Sequence, residues 1–258
     1  MKLTVHSRLE YAFAEPSEVL LLIEAARTPD QAVQAETLTL TPDTPMSRID
    51  DSATGERRVV FTGHGNLVID YRAEVETLLR DNDLAKADAT PIRDLPSDAL
   101  AYLRASRYSP SDRFEAFVER EFSGLKGGAC AQAIIDWIRG HLDYRAGVST
   151  PSSTAEDTFV DRAGVCRDYA HLAIAMLRAA DLPARAVSAY AWKLKPPDFH
   201  AVIEVYLGGR WRLVDVTDLA PVDGLVRIAT GRDAADIAFM TIFGRANLIS
   251  QSFTVGKI

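Results

Sequence analysis

Cysteine is scarce in this 258-residue sequence: there are two, Cys130 and Cys166. So sparse a pair in so long a chain does not read as a disulfide framework, and a reducing cytoplasm is the expected compartment. No dense Lys/Arg run occurs. With 29 basic against 36 acidic side chains the formal net charge is -7, which argues against a nucleic-acid partner. The opening Met1-Lys2-Leu3-Thr4-Val5-His6 lacks the apolar block of a secretory signal. No stretch approaches the length of an apolar membrane span, so no membrane partner is expected. Also missing are a Cys-x-x-Cys pair, a His-Glu-x-x-His helix, a phosphate-binding loop, a Gly-x-Ser-x-Gly elbow and the alternating acidic ligands of an EF-hand. No metal and no cofactor is therefore expected. What is there is ordinary for a globular protein: 47% hydrophobic and 25% charged residues, enough to bury a core as one large domain or two modest ones.

The chain divides by its hydrophobic period. Leu3, Val5, Leu9, Tyr11 and Phe13 alternate with polar residues, with Ser7 the exception, and predict a half-buried strand. Leu67, Ile69, Tyr71, Ala73 and Val75 repeat the pattern, and Gly63-His64-Gly65-Asn66 reads as a hairpin turn fed by Val59-Val60-Phe61. Shorter strands are expected at Leu20–Ile23 and Leu38–Thr41. Residues 1–80 are thus expected to form a β-rich domain, an antiparallel sheet or sandwich. The polar stretch after it, with Pro91 and Pro96, suggests a linker over residues 81–98. From residue 99 to 258 the period is first helical and then alternating. Phe114, Phe117, Val118 and Phe122 share a helical face, as do Cys130, Ile134, Trp137, Ile138 and His141. A third stripe runs from Val165 to Ala180 and stops at Asp181-Leu182-Pro183. Strands follow at 184–192, 201–207 and 211–216, an α+β order.

Cys166 follows Gly164-Val165 in the first turn of the third helix. There, unpaired N–H groups and partial positive charge favour a thiolate and could hold an oxyanion. Cys130 lies inside an apolar stripe, where a free cysteine is usually a small buried hydrophobe. Position alone does not decide, since Cys166 could also be packing. A nucleophile needs a base and a group that orients the base. His6, His64 and His141 have bland places on a strand, a turn and a helix stripe. His171, five residues after Cys166, falls about 140° around the helix from it.

His200 differs. If Leu207-Gly208-Gly209-Arg210 is a symmetric hairpin, Leu207 faces Arg210 and His200 falls on the same side as Asp215. The two become diagonal neighbours at about 7–8 Å, within reach of long side chains. A bulge would break this register. The apolar Trp211, Leu213 and Val214 make an unpaired Asp215 costly. A zinc site of Cys166, His171, His200 and Asp215 has no standard spacing.

Gly164-Val165-Cys166-Arg167-Asp168-Tyr169-Ala170-His171-Leu172 resembles the nucleophile segment of the bacterial transglutaminase-like superfamily. Leu182-Pro183-Ala184-Arg185, Phe199-His200-Ala201, Glu204-Val205-Tyr206-Leu207, Gly209-Arg210-Trp211, Asp215-Val216-Thr217, Gly231-Arg232-Asp233 and Ser153-Thr154-Ala155 are similar to other segments of that family. The β-rich first half resembles the domain that often precedes this core in bacteria. The resemblance implies a papain-like α+β core with Cys166 as nucleophile, His200 as base and acid, and Asp215 as orienting group. It also implies an upstream oxyanion donor, for which Gln132, Trp137 and Tyr144 are candidates. Val202 and Val216 depart from the aromatic residue and the proline usual at those places. The expected chemistry is attack on an amide of a peptide or protein substrate through an acyl-enzyme. Hydrolysis by a cysteine peptidase or amidase is favoured, because water needs no second binding site and many relatives of this type resemble cysteine proteases. The alternatives are a protein-glutamine acyltransferase and a non-catalytic binding or assembly module on the same fold.

Overall fold

A computed structural model describes residues 1–51, 53–78, 80 and 83–258. Strands β1 (Lys2–Leu21), β2 (Gln31–Thr41), β3 (Met46–Asp50) and β4 (Arg57–Thr77) come first. Then follow α1 (Ser97–Leu100), α2 (Glu115–Glu121), α3 (Gly127–His141), β5 (Asp143–Tyr144), α4 (Ala155–Asp161), β6 (Ala163–Gly164) and α5 (Cys166–Ala179). The chain continues through β7 (Ala184–Ala191), β8 (Phe199–Leu207), β9 (Arg210–Val214), β10 (Leu225–Gly231), β11 (Met240–Phe243) and β12 (Ala246–Lys257). The arrangement is α+β. One antiparallel sheet has the order β11-β1-β4-β2, with β12 also on β1 and β3 also on β4; a second has the order β10-β7-β8-β9. A two-residue parallel bridge joins β5 to β6.

The first sheet follows the alternation expected of it. Leu3, Val5, Leu9, Leu67, Ile69 and Val75 are all buried, and so is Ser7, whose hydroxyl meets Tyr190 Oη at 3.0 Å. The hairpin expected at Gly63–Asn66 is absent. β4 instead runs straight through these residues and pairs with β1 over almost its whole length. The reason is a bulge in β1 between Phe13 and Ser17. A Cβ on Gly63 would come within 2.5 Å of the Phe13 ring, and one on Gly244 within 2.1 Å of Ser17 Oγ. Gly65, opposite Phe13, has φ +58°. These glycines admit a bulge and its crowded neighbours rather than a chain reversal.

Residues 240–257, grouped from sequence with the second domain, are strands of the first sheet: Val5 faces Val255 and Val19 faces Ile242. Little in their pattern announces this, since most of β12 is exposed. The expected linker begins at residues 81 and 82, which lie outside the described residues. Beyond them, Leu84 is buried and the Gly128 N–H donates to Ala87 O at 2.7 Å, so this segment packs against the start of α3. Among the described residues, no helix is long and apolar enough to cross a membrane.

Helix α5 is buried from Asp168 to Arg178. A helix enclosed on every side must satisfy its polar side chains internally. Arg178 does so by donating to Ala184 O at 2.9 Å, Arg104 O at 2.9 Å and Arg232 O at 2.7 Å. Between the sheets, the fully buried Tyr190 donates to Ile23 O at 2.7 Å. Tyr190→Phe would strand that carbonyl and the Ser7 hydroxyl, and should cost about 1–3 kcal/mol in urea unfolding at an unchanged m-value. A loss below about 0.5 kcal/mol would show that this contact does not fasten the sheets.

Candidate active site

The start of α5 is shaped by Gly164 and Asp168. The Asp168 carboxylate reaches back to accept from the Val165 N–H at 2.8 Å and also accepts from Ser149 Oγ at 2.6 Å. An acidic residue in the first turn is favoured by the unpaired N–H groups there. A Cβ on Gly164 would sit 2.6 Å from Asp168 Cβ, so only glycine lets the chain approach. Cys166 is the first helical residue, partly exposed, while Cys130 is buried in α3.

On the facing strands, β8 and β9 pair with Leu207 opposite Arg210 and Ile203 opposite Val214. The turn residues Gly208 and Gly209 have φ of +60° and +77°, as a two-residue type I′ hairpin requires. Pairing stops at Val214. Asp215 then turns its carboxylate to His200, whose Nε2 donates to Oδ2 at 2.9 Å. Ala220 N–H donates to the same oxygen at 3.0 Å; Thr217 N–H and Oγ1 donate to Oδ1 at 2.9 and 2.6 Å. The backbone is held as well: Arg139 donates to Asp215 O at 2.7 Å and to Val216 O at 3.0 Å.

Both His200 and Asp215 are buried. His200 Nδ1 has no partner in hydrogen-bonding geometry, and the Cys166 thiol is close enough to act on the ring by hydrogen bonding and charge. Burial pulls the imidazole down, but Asp215 and Cys166 outweigh it and raise His200 from 6.5 to about 9. Burial likewise pushes the Asp215 carboxyl up, and the bonds from His200, Thr217 and Ala220 overcome it, holding the group below its ordinary range. The structure thus brings Cys166, His200 and Asp215 together.

Of the three upstream candidates, Tyr144 is the one beside Cys166. Burial and the neighbouring thiol push its hydroxyl up to about 12, while the Cys166 backbone N–H acts against them. Gln132 is occupied with Asp136 at 2.8 Å, and Trp137 stacks on His141 at 4.3 Å. His171 is elsewhere: it stacks on Tyr108 at 5.2 Å, and its Nε2 accepts from the Ala234 N–H at 3.1 Å. Burial drives it down to about 4 despite the charge of Asp233. His6 pairs with Asp70 at 2.9 Å. Two supporting residues escaped sequence reasoning. Asp168 has a legible signal, an acidic side chain three residues after the helix-capping position. Arg139 has none.

This geometry sits on a fold with known relatives. The model of the family "Transglutaminase-like superfamily" matches residues 120–216, and that of "Bacterial transglutaminase, N-terminal domain" matches residues 1–98. A solved structure, the "Putative Cysteine Protease from Cytophaga hutchinsonii", is 37% identical with a TM-score of 0.92, covering 99% of this chain and 90% of that one. The chain belongs to the transglutaminase-like superfamily. At the level of the superfamily the fold is that of a thiol enzyme. An uncharacterized protein of Mycobacterium leprae is 29% identical over 145 residues, 53% of this chain and 52% of that protein. One of Mycobacterium tuberculosis is 34% identical over 109 residues, 36% of this chain and 35% of that protein. The chain therefore spans about half or less of the curated relatives it matches. The two departures from the superfamily pattern, Val202 and Val216, are both buried, Val202 in a cluster with Val187, Leu213 and Leu225 and Val216 in the main core.

A raised histidine pKa has a definite sign. Protonated His200 stabilises the fold fully below pH 6.5, and that contribution is lost as pH rises through about 9. The depressed Asp215 contributes above 3.8 and is lost as pH falls through its lowered folded value. An NMR titration of the His200 ring should therefore find a midpoint near 9, and Asp215→Asn should bring it down sharply. A wild-type midpoint at or below 6.5 would contradict the coupling.

Proposed function

We propose that the protein is a thiol amide hydrolase working through a Cys166 acyl-enzyme. The observation that carries this reading is the alignment of three groups: a cysteine at the first position of a 14-residue helix, a histidine whose free Nδ1 lies toward it, and a carboxylate fixed on the other ring nitrogen at 2.9 Å. In the forward step Cys166 gives its proton to His200 Nδ1, and the sulfur adds to the amide carbon. His200 then returns that proton to the leaving nitrogen as the C–N bond breaks. Water adds to the thioester, gives a proton to His200 and releases the acid with Cys166 restored. Asp215 keeps Nδ1 aimed at the sulfur and favours the imidazolium between the steps.

Negative charge on the carbonyl oxygen during the first step would meet the Cys166 N–H at the helix end, with the Tyr144 hydroxyl alongside. A cleft of about 460 Å³ lies beside Val165 and Phe199, walled by Arg167, Asp198, Phe239 and Gln251. It has room for a short length of peptide. Hydrolysis is preferred to transfer because water needs no acceptor site of its own. The name of the Cytophaga hutchinsonii relative supports the same choice.

A peptide-library screen read by mass spectrometry with an added primary amine separates the outcomes. Cleavage or deamidation should dominate. Predominant amine incorporation would make the protein a protein-glutamine acyltransferase. Cys166→Ala should reduce turnover by at least about 10³-fold, and full activity in that variant would end the acyl-enzyme proposal. Burial pushes the Cys130 thiol up. In the folded protein, iodoacetamide should therefore label Cys166 at least about tenfold faster than Cys130, and equal labelling would argue against an activated thiol.

A further inference from the structure

The cleft of about 460 Å³ beside Val165 and Phe199 has two charged side chains in its lining, Arg167 and Asp198, and they stand in different circumstances. Arg167 is engaged. Its Nη2 donates to Thr150 O at 2.6 Å and to Asp168 Oδ1 at 3.4 Å, so its charge already faces the buried carboxylate at the start of α5. Asp198 stands two residues before His200, where the chain enters β8. Its Oδ1 accepts from the Phe199 N–H at 2.7 Å, and among the described residues it forms no ion pair.

Ordering the entry to β8 accounts for that bond, which engages one of the two carboxylate oxygens. The residue reaches solvent, yet the protein around it withdraws enough water to push the carboxyl up, against the pull of the Phe199 N–H and of His200. A cation brought to the second oxygen would favour the ionised form. The same cleft has apolar walls. Val165, Phe199 and Phe239 are half-buried, and the two rings stack at 4.7 Å with 23° between their planes. The other polar side chains of the lining, Ser149, Thr150 and Gln251, are uncharged.

A carboxylate set among aromatic and aliphatic walls suits one kind of side chain. Lysine and arginine lay a methylene stem along apolar surface and carry a cationic head that seeks a carboxylate or a ring face. A free α-amino group has no such stem. An acidic side chain would meet Asp198 as a like charge, while Arg167 is held by Asp168. We propose that Asp198 selects substrates with a lysine or arginine side chain within one residue of the amide that is attacked. This selection rests on Cys166 acting as the nucleophile proposed above.

Peptidyl chloromethyl ketones test it, because they alkylate a nucleophilic thiol without any amide being cleaved. The reagents are acetyl-Ala-Lys and acetyl-Lys-Ala chloromethyl ketone, each beside its norleucine and glutamate counterparts. Intact-mass spectrometry of the full chain gives the rates, and peptide mapping assigns the alkylated residue. At least one lysine reagent should alkylate Cys166 at least about tenfold faster than its norleucine counterpart, with glutamate slowest. In Asp198→Asn, which keeps an oxygen for the Phe199 N–H, that ratio should fall to about twofold or less, with circular dichroism confirming the fold. Taking the ratio within each variant cancels any change in the thiol itself. Glu119→Gln on α2 should keep the wild-type ratio. Alkylation of Cys166 without a lysine preference, or a lysine preference that survives Asp198→Asn, would overturn the selection and leave the nucleophile standing. No alkylation of Cys166 by any of the reagents would overturn both.

Discussion

A two-residue turn governs where the chemistry can happen. With Gly208 and Gly209 in left-handed conformations, β8 and β9 have one register, and pairing ends at Ile203 opposite Val214. A shift of one residue would send the alternate side chains of β9 to the other face and take Asp215 with them. Asp215 lies just past the last pair, where its backbone leaves the ladder and its carboxylate is free to collect four donors. One of those donors is the His200 ring. Without the others the carboxylate would be a poorly compensated buried charge, and its preference for ionisation, and so for imidazolium on His200, would weaken.

Strand β8 carries two buried charge systems of opposite character. Glu204 sits between Arg185 and Arg227, groups that stay charged at any ordinary pH, so its surroundings are electrostatically fixed. Four residues earlier, His200 sits between a carboxylate and a thiol, and each of its proton transfers changes the charge of its surroundings. The same strand thus provides a permanent anchor at one end and a titratable group at the other.

Much of this was legible because local signals agreed. The period-2 alternation of β1, the glycine pair of the β8–β9 hairpin and the break at Gly164 each state a backbone requirement that few residue types meet. The register derived from Leu207 and Arg210 is the one observed. The signals failed where composition is ambiguous or the partner is remote. Gly63 and Gly65 have turn composition, yet they serve a bulge: Phe13 on another strand crowds Gly63, and Gly65, opposite Phe13, takes a positive φ. β11 and β12 gave no sign of crossing back to β1, since their exposed residues carry no core pattern. Tyr144 could not be separated from Gln132 and Trp137 by spacing, because a parallel bridge to Gly164 is what brings it beside Cys166.

That return of the chain gives the first sheet a bearing on the site. Phe199, the residue before His200, is wedged among Tyr190 at 5.4 Å, Phe239 at 4.7 Å and Phe253 at 4.6 Å. Phe253 lies on β12 opposite Ser7 of β1, and Ser7 also meets the hydroxyl of Tyr190. The ring beside the histidine is therefore clamped by groups that the first sheet holds in place. Aromatic contacts of this kind contribute about 0.5–1.5 kcal/mol each beyond the area they bury. Their sum is enough to restrict where β8 begins, and a small shift there would move an imidazole whose value depends on its aim. The first sheet need not touch the sulfur to matter; it fixes the residue from which His200 is aimed.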